Sequence, residues 1–248
     1  MKTSYKLLML AIIIIFGTTA AYDFAVQKQY LKHDYTNPWR DYNTMQFKDF
    51  DTIEVVASNR INTEIIRSDT FDVKLHMWVR DAKITQKGKR LIVNFDTQKD
   101  PYQHGYTKRA LIIKCPVLKE VETDAKFLLN GKPVLSRAAQ QDRLKGGQVL
   151  IKGFNQNEFS LVMNNASTVF LKDNNFKFLK ANIGSQDSSR SSIELDNSNK
   201  ILSADMDLQN RSVMTLDNIH IKNFKYKLSD SAQVNLSGIS LRLLSKKN

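Results

Sequence analysis

Three aspartates recur at the same point of a repeated phrase. Asp173, Asp196 and Asp217 each follow, by one or two residues, the last leucine of a short apolar run: VFLKD, IELD and MTLD. Carboxylates gathered this way could share acid and base roles in cleaving a polysaccharide, or hold a calcium ion. Like charges stacked about 5 Å apart repel, so the pattern also demands an intervening cation or lysine, or corners tilted into water. Tilted corners, with neighbouring asparagines forming the true ladder, are the plainer reading. A cation or glycan contact along that edge is the sharper one. No arginine or lysine joins the three at a fixed offset, as an active site would need.

A second candidate is DPYQHGY, residues 100–106, where Tyr102, His104 and Tyr106 could stack on a sugar; an aromatic turn is the bland alternative. The four histidines, His33, His76, His104 and His220, show no metal-ligand spacing. A single cysteine, Cys115, excludes an intramolecular disulfide and a cysteine cluster. It lies in ALIIKCPVL and reads as a buried small hydrophobe. There is no nucleophile elbow, P-loop or dinucleotide fingerprint. No catalytic, metal or cofactor-binding residue is assigned, and neither a cofactor nor an enzyme is expected.

The elements that must position these residues are strands. From residue 46 onward the chain alternates apolar and polar residues over short runs such as DTIEVVAS, FDVKLHMWV and KRLIVNF. One phrase then recurs: STVFL at 167–171, SSIEL at 191–195, SVMTL at 212–216 and AQVNL at 232–236. Its copies start 24, 21 and 20 residues apart. A second phrase, ANIGS, ADMDL and YKLSD, starts at 181, 204 and 226. Two short strands per period is the pattern of a β-solenoid, in which coils bury their apolar residues only by stacking. The expected ladders are Val169, Ile193, Met214 and Val234, and Leu171, Leu195, Leu216 and Leu236. Asn, Asp or Gly after each leucine suits the left-handed backbone of a sharp corner.

The N-terminus differs. MKTSYKLLMLAIIIIFGTTAAYDF places two lysines before an unbroken apolar run from Leu7 to Phe16. It is read as an uncleaved membrane anchor, with a cleaved signal peptide as the alternative. In both cases the positive end stays inside and the rest is exported. The organisation expected is anchor or signal peptide over 1–22, spacer over 23–45 and an all-β solenoid over 46–246, with regular coils clearest at 159–244. The formal net charge of +12 is spread along the chain rather than gathered on one element. No nucleic-acid partner is expected, while a general attraction to polyanions stays open. KGKR at 87–90 is read as a solvated hairpin turn.

These runs together resemble the auto-transporter adhesin head domain, the GIN domain, of Bacteroidetes-type bacteria. The resemblance covers about residues 46–244. It rests on FKDFDTIEVVASNRINTEIIRSDTFDVKL at 47–75, RLIVNF at 90–95, LIIKCPVLKEVE at 111–122 and the later repeats. The family's Gly-Ile-Asn phrase stands here as Arg60-Ile61-Asn62, a local departure. The resemblance implies a right-handed parallel β-helix with coils of about 20–24 residues in the cell envelope. It implies an adhesin-like role and brings no catalytic residues.

The function expected is therefore a non-enzymatic, tethered or exported envelope protein whose rod binds a glycan or another envelope protein. Its expected place is the inner membrane, facing the periplasm, or outside it if the leader is cleaved. One rival is a carbohydrate-active β-helix lyase or hydrolase, which requires carboxylates and a basic residue converging in a groove. The other is a structural assembly component.

Overall fold

The structure, a computed structural model, describes residues 2–31, 37–97, 109–135, 147–185 and 190–245. The chain divides into two compact units, Met1–Tyr42 and Asn43–Asn248. The first unit is dominated by helix α1 (Lys2–Leu31). Thr3–Leu31 is long and apolar enough to cross a membrane, by length and composition. Its side chains are exposed on every face, so no protein core accounts for its apolar residues. The hydroxyls of Thr18 and Thr19 donate back to the carbonyls of Ile14 and Ile15 at 2.8 Å, which satisfies them within the helix.

The second unit is built from strands, numbered in chain order, in two sheets. One sheet runs β1 (Tyr42–Met45), β4 (Asp72–His76), β7 (Leu111–Cys115), β3 (Thr63–Arg67), β11 (Val149–Lys152), β13 (Thr168–Lys172), β15 (Ser192–Asp196), β17 (Val213–Asp217), β19 (Gln233–Ser237). The other runs β10 (Lys132–Leu135), β9 (Lys126–Leu129), β6 (Arg90–Thr97), β2 (Thr52–Val55), β8 (Glu120–Thr123), β12 (Asn155–Met163), β14 (Asn175–Ile183), β16 (Lys200–Leu208), β18 (Ile221–Leu228). β5 (Ala82–Lys87) joins the second sheet as an antiparallel hairpin partner of β6. Both sheets are mixed and rich in parallel pairs, and neither closes into a barrel.

From β11 to β19 the chain alternates strictly between the sheets, and every pairing along this stretch is parallel. Val149, Val169, Ile193, Met214 and Val234 pair in one row; Ile151, Leu171, Leu195, Leu216 and Leu236 pair in the next. These are the two ladders the repeated phrase predicts. The rows are fully buried until Val234 and Leu236, which lie on the last strand and are half-buried. Strand burial alternates because side chains alternate faces, so one half of each strand builds the core between the sheets.

The second phrase needs a correction. Ala181 pairs with Met206, and Met206 with Tyr226, so the middle copy begins two residues later than its apolar pattern suggested. A slip of two residues keeps every side chain on its face, which is why composition alone did not reveal it.

Two kinds of corner join the sheets. After β13 and β15 the chain turns on buried Asn174 and Asn199. The Asn174 amide donates to the Ile151 carbonyl at 3.0 Å and to Asn199 Oδ1 at 3.1 Å, and the Asn199 amide donates to the Leu171 carbonyl at 2.7 Å. Phe154 N–H donates in turn to Asn174 Oδ1 at 3.0 Å. The opposite corners use buried serines: the Ser58 and Ser167 hydroxyls meet at 2.7 Å, and Ser191 accepts the Ser167 N–H at 3.3 Å.

The section before β11 is less regular. β4, β5 and β10 each run antiparallel to a neighbour. Its node is the Arg60-Ile61-Asn62 phrase. Asn62 accepts N–H groups from Ala110 and Leu111 through its carbonyl, at 3.1 and 3.0 Å, and its side-chain oxygen accepts from Gln148 at 3.1 Å. Arg60 is buried with its guanidinium 4.3 Å over the Phe127 ring. Gly147 passes so close that a Cβ would lie 2.5 Å from both Ile61 N and Ser58 O.

Asn199→Ala would leave the Leu171 carbonyl and the Asn174 amide without this partner inside the protein. We expect a loss of about 2–3 kcal/mol in urea unfolding, against less than about 0.5 kcal/mol for Asn197→Ala two residues away at the surface.

Candidate functional site

The predicted aspartate series does not converge. Asp196 pairs with Asp217, and Asp217 with Ser237, but Asp173 lies one step further along because Lys172 intervenes after Leu171. Each carboxylate has its own partner. Lys152 Nζ lies 3.1 Å from Asp173 and Lys172 Nζ lies 3.8 Å from Asp196, both lysines coming from the neighbouring strand of the sheet. The Ser198 hydroxyl donates to Asp196, and the Ser237 hydroxyl to Asp217. The repulsion expected of stacked carboxylates is thus relieved by lysine and hydroxyl neighbours. Asp173 and Asn218 hold φ of 54° and 51°, the left-handed corner that Asn and Asp tolerate.

Beside this edge runs an open groove of about 530 Å³. Asn197, Asn218, Lys200 and His220 give it polar atoms; Leu202 and Ile239 give it apolar ones. His220 is exposed, as its alternation with Ile219 and Ile221 predicts. Buried Asn199 lies at its back and is held by the corner hydrogen bonds above. Amides, an ammonium and an imidazole along a shallow trough suit a ligand rich in hydroxyls or other oxygens.

A different constellation was not legible. Arg90 lies among three carboxylates, with Glu122 at 2.8 Å, Glu54 at 3.2 Å and Glu120 at 3.3 Å. KGKR does form the β5–β6 hairpin, but its arginine is not simply solvated. Hydrogen bonding from Glu122 above all, and then Glu54, raises the Arg90 pKa against the opposing effect of burial. The Asn164 amide adds a bond to Glu122 at 2.9 Å. The only signal was the outward alternation of TIEV and EVET; which carboxylates meet depends on the parallel register of β6, β2 and β8. The cluster clamps three strands together.

Burial pushes the Asp51 carboxyl up, but the Lys119 ammonium 2.7 Å away, with Thr52 and Lys89, outweighs it and holds Asp51 below its ordinary 3.8. Cys115 is fully buried, and burial pushes its thiol up to about 12. Among the described residues, no group of three or more His, Cys, Asp or Glu could hold a metal ion. Tyr102, His104 and Tyr106 lie outside the described residues.

No family model matches the chain, and no curated protein does. Among solved structures, the chain is similar to a "putative adhesin" from Parabacteroides distasonis. The TM-score is 0.56 at 15% identity, over 78% of this chain and 71% of that one. A like-named protein from Bacteroides fragilis aligns with a TM-score of 0.40 at 12% identity, over 79% and 96% of the two chains. One from Parabacteroides merdae gives 0.31 at 10%, over 79% and 95%. At such identities the first likeness speaks for the fold alone.

Two predictions follow from the titrating groups. The stability contributed by Asp51 is present above its unfolded pKa and lost as pH falls through its depressed folded value. Lys119→Met should therefore lower stability near pH 7 by about 0.5 kcal/mol in urea unfolding, a difference that disappears as pH falls through the folded Asp51 pKa. Cys115 should resist a thiol reagent in the native protein and react only at the rate of unfolding. Rapid native labelling would contradict its burial.

Proposed function

We propose that the chain is a non-enzymatic cell-envelope protein that presents a right-handed parallel β-solenoid for binding a glycan or another envelope protein. Residues 1–22 tether it to a membrane, residues 23–45 space it away, and residues 46–246 form the binding rod. The polar groove beside the Asp196–Asp217 edge carries this reading. Its amides and imidazole offer donors and acceptors without a converging set of reactive groups. The strict alternation of β11–β19 between two sheets supports the solenoid. The fold likeness to the Parabacteroides distasonis protein, which bears an adhesin's name, supports the adhesin-like role. The exposed apolar α1 supports tethering, with a cleaved signal as the alternative.

The rival carbohydrate-active enzyme has one observation in its favour, the carboxylates around Arg90. All three are engaged by one guanidinium on a sheet surface, whereas glycoside cleavage needs two carboxyls facing each other across the bond to be broken.

Fractionation followed by N-terminal sequencing tests the tether. A start at Met1 in a salt-resistant membrane fraction is expected; a start near Tyr22 in the soluble exported fraction would remove the anchor. The groove is tested by Asn197→Ala and His220→Ala in a glycan-binding screen. Each should weaken binding about three- to tenfold, the worth of one hydrogen bond, with unfolding unchanged.

A further inference from the structure

The outer surface of β14, β16 and β18 holds six lysines: Lys177 and Lys180, Lys200, and Lys222, Lys225 and Lys227. All six are exposed. Two carboxylates share this surface, Asp205 and Asp207, and Asp207 already accepts the Gln209 amide at 2.9 Å. None of the six lysines forms an ion pair with another described residue.

The neighbouring surfaces have the opposite character. Earlier strands of the same sheet turn Glu54, Glu120 and Glu122 outward around Arg90, and Glu158 is exposed on β12. The outer surface of β13, β15 and β17 sets Lys172 against Glu194, Asp196 and Asp217. β14, β16 and β18 thus carry six lysines against two carboxylates on one outer surface. In the register of these strands Asp205 lies opposite both Lys180 and Lys225, and Asp207 opposite Lys227, while no carboxylate is paired with Lys177, Lys200 or Lys222, so the surface keeps a basic excess that an anion could answer.

Edge protection explains only part of this. β18 is the last strand of its sheet, and lysines on an open edge discourage pairing with other chains. Lys177, Lys180 and Lys200 lie on interior strands, where no edge needs guarding.

We propose that this face binds an acidic polysaccharide, an extended sugar chain bearing carboxylate or sulfate groups. The inference rests on the glycan-binding reading above and narrows it to a chemical class. The uncharged residues among the lysines favour a sugar chain over a lipid surface. Asn182 and Asn223 provide amides for hydroxyls, and Phe178, 37% exposed between Lys177 and Lys180, provides a ring for a sugar face. Lys200 and Leu202 continue directly into the asparagine-lined groove.

The test uses the full chain in detergent micelles, with polygalacturonate and chondroitin sulfate as acidic probes and dextran as the neutral one. Two variants are compared: Lys177→Gln/Lys180→Gln/Lys200→Gln on the interior strands, and Lys222→Gln/Lys225→Gln/Lys227→Gln on the edge. Binding to at least one acidic probe at low salt is expected, weakening with added salt and by at least about tenfold in each variant, with dextran not retained. Retention of dextran as strong as that of the acidic probes, unaffected by either variant, would keep the glycan-binding reading and overturn this one. Binding to no polysaccharide would overturn both. Lysine-dependent binding to vesicles containing phosphatidylserine, without acidic-glycan binding, would replace the glycan with a membrane surface. Unchanged glycan binding in both variants, with self-association of the edge variant alone, would reduce the edge lysines to edge protection and overturn the proposal.

Discussion

Leu171, Leu195 and Leu216 are each buried by the strands to either side, and none could be buried by its own strand alone. A five-residue strand that offers two apolar side chains to one face cannot exclude water from them. Stacked in register between equivalents, it can. This mutual dependence governs the second unit from β11 onward. It fixes the strands to one register, so differences in repeat length have to be taken up at the corners. The intervals of 24, 21 and 20 residues between phrase copies reflect that. The strands keep their length and the connections vary.

Corners that turn inside a packed body leave backbone N–H and C=O groups away from water, and each must find a partner. Asn174 and Asn199 meet that demand on one side, because an amide can donate and accept at once and so bridge a carbonyl of one strand to the side chain of the next. Serine does the same on the other side with a smaller group, at Ser58, Ser167 and Ser191. This accounts for the serines that open the copies at 167 and 191 and for the asparagines that follow them. The end of the stack shows the same logic in reverse: β19 is the last strand of its sheet among the described residues, and its Val234 and Leu236 are only half-buried.

The stacked strands were legible because every copy spaces its apolar pair alike, three of them at the same offset from a serine and the fourth from Ala232. The pairing rows match that alignment residue for residue in one sheet. In the other sheet the phrase ANIGS-ADMDL was set two residues out, since period-2 alternation is blind to even slips. The aspartate series shows the same limit: Asp196 and Asp217 stack in register and Asp173 does not. Lys172 adds one residue between leucine and Asp173, so three similar phrases place their carboxylates at two different steps. The Arg90 cluster was invisible because its four members lie on three strands far apart in sequence, brought together only by tertiary register. Local pattern reports which face a residue takes. It does not report which residues meet across strands.

That division also separates fold from function in this protein. Inward positions are held to apolar residues by stacking, whereas outward positions are constrained only by water and by their neighbours across the strands. Charge can therefore be rewritten along the outside without disturbing the ladders within. The second sheet shows it: the outward side of β2 and β8 carries glutamates around Arg90, and further along the same sheet the outward side of β14, β16 and β18 carries six lysines against two aspartates. The core beneath both regions is one continuous apolar cluster. Surface charge and core packing are thus set independently along this sheet.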